Sequence, residues 1–198
     1  MKIKLAITCL TLFVLAFLFS YQLYADEIES KTDRARLGQS QSLINLSRFD
    51  EAIAILEDLH KRYPENENIT IELAKALGYG KKLNRAIVLL NELQKHFPDD
   101  DLIKYTHATI LESNEKLADA REKYLELLQK YPSNDALKEK IADISSWLTD
   151  YATAASYYQR VLSKRLDDDS LKAKLADVYY WSGDYAKAIQ LYNELGLS

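Results

Sequence analysis

From residue 33 onward, small and apolar side chains recur with a period of 34 residues. Ala52, Ala86, Ala120, Ala154 and Ala188 share one phase, while Ala74, Ala108, Ala142 and Ala176 share another, with Ser40 at that phase in the first period. Around the first row, an apolar or aromatic residue stands three positions earlier (Phe49, Leu83, Leu117, Tyr151, Tyr185), four later (Leu56, Leu90, Tyr124, Tyr158, Tyr192) and seven later (Leu59, Leu93, Leu127, Val161, Leu195). These offsets lie on one helical face. Each period therefore predicts two amphipathic helices, crossing closely at the small residues, with larger side chains filling the space beside each crossing. Pro64, Pro98 and Pro132 obey the same period. They predict helix ends at Tyr63, Phe97 and Tyr131, because proline disfavours helical geometry in the residue before it. Those three aromatics are then expected to pack back on the core.

Together the alanine, aromatic and proline phases resemble the tetratricopeptide repeat, over residues 33–198. The resemblance implies an all-α fold: a right-handed superhelical solenoid of about five helix-turn-helix repeats, at 33–66, 67–100, 101–134, 135–168 and a short 169–198. Two features depart from the family pattern. The early tryptophan is replaced by Arg36, Thr70, Lys104, Lys138 and Lys172, and Leu166 stands where a fourth proline belongs, which predicts a looser fourth junction. Such solenoids hold partners on an inner groove made by the first helix of each repeat. In some, a lysine and an asparagine there clamp a C-terminal carboxylate. The matching pairs are Leu37 with Gln41, Ile71 with Lys75, Tyr105 with Thr109, Glu139 with Asp143, and Ala173 with Asp177. None fits that clamp.

Residues 1–25 break the pattern. Lys2 and Lys4 precede an apolar run over 5–19, and the small Ala25 precedes the acidic Asp26 and Glu27. This order predicts a secretory signal cleaved after Ala25, or an uncleaved membrane anchor over residues 5–23, followed by a polar lead-in at 26–32. In either case the repeats are expected outside the cytoplasm, periplasmic or secreted. Cys9, the only cysteine, sits within the apolar run, so the exported chain would carry neither disulfide nor thiol nucleophile. The net charge of −4 becomes more negative once Lys2 and Lys4 are removed, which disfavours a nucleic-acid partner.

Candidate chemistry is sparse. His60, His96 and His107 fall at different phases and share no ligand spacing, so no metal and no cofactor are expected. Gly78-Tyr79-Gly80-Lys81-Lys82 lacks the spacing of a phosphate-binding loop and reads as the turn between the helices of the second repeat. The acidic runs 99–101 and 167–169 fall where repeats begin, which suits helix capping better than calcium. No grouping of nucleophile, base and orienting residue appears, so the chain is expected to be non-catalytic.

The last two repeats hold the remaining signal. Trp147 and Trp181 are one period apart, Asp143 and Asp177 each precede one of them by four residues on the same helical face, and Tyr180 adds a third ring. These side chains are core residues packed on the next repeat, or aromatic platforms beside carboxylates for a peptide or a sugar chain. Leu191, Tyr192, Leu195 and Leu197 are expected to form an adhesive C-terminal face. The expected function is a scaffold that binds protein partners in a bacterial envelope assembly. The alternative is a carbohydrate-binding or polysaccharide-export accessory module, because the segment from Trp181 to Ala188 resembles repeats in the periplasmic arms of exopolysaccharide exporters.

Overall fold

The structure, a computed structural model, describes residues 30–197. The expected leader at 1–25 and Cys9 lie outside these residues. The described chain folds as ten helices without a strand: α1 (residues 30–45), α2 (Phe49–Arg62), α3 (Glu67–Tyr79), α4 (Leu83–His96), α5 (Asp101–Ser113), α6 (Leu117–Lys130), α7 (Asp135–Trp147), α8 (Tyr151–Leu162), α9 (Asp169–Ser182) and α10 (Tyr185–Glu194). The architecture is the all-α helical-repeat solenoid that the periodicity implies. Residues 30–32, assigned to the polar lead-in, are already helical.

The division between two compact units falls within α3, one unit ending at Ala76 and the other starting at Leu77. In the first unit, Ala52, Leu56, Leu59 and Ala74 are fully buried, as is Ser40. Asp33 of α1 accepts from Arg62 of α2 and from the Tyr63 hydroxyl at 2.8 Å, while Arg36 reaches Asp58 at 2.6 Å. In the second unit, each helix from α4 to α10 packs on the next. Ala86, Ala108, Ala120, Ala142, Ala154 and Ala176 have no exposed surface, and Ala188 almost none. The alanine rows are therefore the helix crossings. Burial holds the His107 imidazole, on α5, below the usual histidine range, with Lys123 adding to the effect.

Backbone features repeat with the same period. Asn66, Asp100, Asn134 and Asp168 each accept from the amide three residues later, at 3.1, 2.9, 3.1 and 3.0 Å, and so cap α3, α5, α7 and α9. The capping expected of the acidic runs thus belongs to Asp100 and Asp168. Asp101 instead accepts from Lys130 at 2.7 Å and from the Tyr131 hydroxyl, and these bonds hold its carboxyl below the usual range. Each turn within a helix pair places one residue in the left-handed region: Ser47, Lys81, Glu115 and Thr149 with φ near 60°, and Gly183 with φ 85°.

Three sequence expectations need correction. The three prolines do follow helix ends, but the aromatics before them do not enter the core: Phe97 and Tyr131 are exposed, and Tyr63 turns its hydroxyl to Asp33. Without a proline, α8 ends two residues short of the α6 pattern, yet α8 packs on α9 as closely as α6 does on α7. Arg165 closes that junction by pairing with Glu139 and Asp168. Gly78 and Tyr79 belong to α3 rather than to a turn, and the left-handed residue is Lys81.

Gly78 is needed for close approach. A Cβ there would lie 2.5 Å from Cγ2 of Ile110, a fully buried side chain. Gly78→Ala gains about 0.5–1 kcal/mol of helix propensity, but overpacking costs about 1–3 kcal/mol. A lower urea midpoint is expected. A rise would show that Ile110 moves aside freely.

Candidate partner-binding surface

Trp147 is the last residue of α7, and Trp181 lies in the last turn of α9. They are 57% and 54% exposed, and Tyr180 is 55% exposed, so none of the three is core. Trp181 leans on Tyr151 at the start of α8, with ring centroids 6.4 Å apart, and Tyr180 meets Tyr185 at the start of α10 edge-on at 5.6 Å. Trp181 and Tyr180 are thus each braced by one tyrosine ring and remain more than half exposed.

The carboxylates beside the indoles are differently engaged. Asp143 accepts from the Tyr158 hydroxyl of α8 and from Lys174 Nζ of α9 at 2.8 Å. Asp177 accepts from the Tyr192 hydroxyl of α10 at 2.7 Å. One repeat earlier, Glu112 of α5 plays the part of Asp143: it accepts from Tyr124 of α6 and Lys140 of α7, both at 2.8 Å. Burial, reinforced by these bonds, pushes the Tyr124 and Tyr158 hydroxyls well above the ordinary tyrosine range. The bond to Asp177, with a smaller contribution from burial, pushes Tyr192 up to about 12. Burial alone would pull Lys140 down, but its bond to Glu112 leaves it above its ordinary value.

A cleft of about 490 Å³ opens between α5 and α7, lined by Leu102, Tyr105, Leu127, Tyr131 and Leu137, with Glu139 and Lys140 at its polar side. Tyr105 and Leu102 keep substantial exposure there. Among the described residues no three His, Cys, Asp or Glu side chains converge on a point that could hold a metal.

The tetratricopeptide repeat family model matches residues 43–110 and 149–198, more than half of the chain. The chain belongs to the tetratricopeptide repeat family. No curated protein matches it. Among solved structures it is similar to MamA from Desulfovibrio magneticus RS-1, with a TM-score of 0.69 at 12% identity, covering 83% of this chain and 94% of that one. It is also similar to MamA from AMB-1, with a TM-score of 0.64 at 15% identity over 81% of this chain and 88% of that one. PilF from Pseudomonas aeruginosa gives a TM-score of 0.63 at 17% identity, over 83% and 75% respectively. These likenesses concern the fold alone.

The final tetratricopeptide repeat differs from those before it in what it buries. Tyr158 and Val161 are sealed, whereas their counterparts Tyr192 and Leu195 are only half-buried, as is Leu191. Leu197 is largely exposed. Of the residues singled out from the sequence, Asp143 and Asp177 are joined to helix-pair contacts, and the three rings stand free of the core. Lys140, Lys174, Glu112 and the hydroxyls of Tyr124 and Tyr158 were missed. The lysines and tyrosines do lie on the period, and that was a usable signal. Glu112 lies off the phase of Asp143 and Asp177, so the period could not expose the shared contact.

Proposed function

We propose that this tetratricopeptide repeat chain is a non-catalytic scaffold outside the cytoplasm, exported or anchored through residues 1–25, that holds a protein partner in an envelope assembly. One observation carries the partner reading. Trp147, Tyr180 and Trp181 expose more than half of their surface, grouped at the C-terminal ends of α7 and α9. Exposed tryptophan and tyrosine side chains are among those that dominate protein interfaces. A sugar chain would need the neighbouring carboxylates as acceptors, and Asp143 is already held by Tyr158 and Lys174. A protein surface needs only the rings. The order of charges and apolar residues over 1–25 supports export.

The test is affinity capture from the native envelope with Trp147→Ala and Trp181→Ala compared to the unaltered chain. Both variants are expected to unfold within about 0.5 kcal/mol of the parent, as exposed positions do, and to lose the captured partner. Unchanged capture by both would remove the rings from the binding surface. The intact mass of the exported protein decides between cleavage after Ala25 and an anchor.

A further inference from the structure

Two interior junctions of the C-terminal unit share one three-part contact. Tyr124 and Lys140 meet on Glu112, and Tyr158 and Lys174 meet on Asp143. In both, the lysine is supplied by the first helix of the following repeat. It sits within one spacing of apolar residues: Leu137, Lys140, Ile141 and Ile144 in α7, and Leu171, Lys174, Leu175 and Val178 in α9. The apolar members bury themselves with Tyr124 and Leu127 at the first junction, and with Tyr158 and Val161 at the second.

The third instance is incomplete. Tyr192 donates to Asp177 at 2.7 Å, and among the described residues no cation answers that carboxylate. Around it the apolar positions that the next helix would cover are open: Tyr192 and Leu195 are half-buried, and Ile189 is 58% exposed. We propose that the face formed by α9 and α10 is a docking site for an amphipathic helix of a partner protein, with a lysine or arginine spaced as apolar-x-x-cation-apolar-x-x-apolar and its cation closing on Asp177.

The occupant follows from the two filled examples, which show what geometry this surface accepts and which charge completes it. A second copy of this chain does not supply it. Among the described helices α6, α7 and α9 have that pattern, and in all three its apolar members are already buried against their own neighbours; the cation position of α7 and α9 holds Glu72 in α3 and Thr106 in α5. The proposal rests on the scaffold reading, and its face is centred on Asp177, a full repeat away from Trp147.

The probe is a stapled helical peptide of the α9 sequence, Asp169–Ser182, carrying a dye and titrated into the full exported chain by fluorescence anisotropy. Saturable binding is expected, at least tenfold weaker for a peptide with Lys174→Glu or for a chain with Asp177→Lys, and recovered when the two reversals are combined. Asp177→Asn, which keeps the size of the side chain and an acceptor for Tyr192, should also weaken binding, so the test does not depend on one variant folding. Absence of saturable binding, or binding indifferent to Asp177, overturns the proposal. So does a dimer in sedimentation that Asp177→Lys abolishes, because the occupant is then a second copy. Trp147→Ala, on α7 and a full repeat away, should leave peptide binding unchanged while reducing capture of the envelope partner, so loss of that indole and loss of this face are separately visible.

Discussion

Replacing Ala120 with leucine is expected to lower the unfolding free energy by about 1–3 kcal/mol, whereas Ala118→Leu should change it by less than about 0.5 kcal/mol. Ala120 has no exposed surface and lies in one cluster with Ala108, Leu111 and Tyr124, where α6 crosses α5. Three extra carbons have no free volume there and must push a helix or a rotamer aside. Ala118 is exposed, two residues along the same helix. Its side chain can grow into solvent. Chemical denaturation of the pair reads the helix crossing directly, and equal losses would mean that the crossing is elsewhere.

The second large effect is expected from Asp143→Ala, at about 1–3 kcal/mol, against less than about 0.5 kcal/mol for Asp177→Ala. The two aspartates stand at the same phase and both accept from a tyrosine. They differ in what removal would strand. Tyr158 is 2% exposed, so its hydroxyl would be left buried without an acceptor, while half-exposed Tyr192 can turn to water. Lys174 would also lose Asp143, but its side chain is 43% exposed and solvent compensates most of that loss. Tyr158→Phe separates the contributions, because it removes the donor and leaves no unsatisfied hydroxyl. Its loss should be smaller than that of Asp143→Ala, at about 0.5–1.5 kcal/mol. A loss for Asp177→Ala as large as that for Asp143→Ala would mean that burial is not what makes the Asp143 contact matter.

The helix crossings were legible because close packing restricts the side chain directly: only a small residue allows two backbones to approach, so Ala52 through Ala188 mark them. The caps at Asp100 and Asp168 were legible for a similar reason, an oxygen acceptor being required at one place. The left-handed turn positions were not. Ser47, Lys81, Glu115, Thr149 and Gly183 have no side-chain property in common, since the packing of the two helices imposes the conformation and most residues can be forced into it at some cost. Gly78 misled in the opposite direction, its glycine serving Ile110 rather than a turn. At the candidate site, the period found Trp147 and Trp181 but could not say that Asp143 was engaged, because the lysine that engages it lies 31 residues further on.

The contact that joins Tyr158, Asp143 and Lys174 gives the C-terminal unit a polarity of growth. A repeat that presents a lysine at its leading side and a carboxylate at its trailing side can be copied and placed after itself with its charges matched. The segment 135–168 has both, in Lys140 and Asp143, and 169–198 has both, in Lys174 and Asp177. The segment 101–134 has the trailing acid in Glu112 but Thr106 where the lysine would be. Duplication of either later segment would therefore lengthen the array without new chemistry, while insertion of the earlier one would strand a carboxylate. The ancestry of such an array is written in which of its units can follow which.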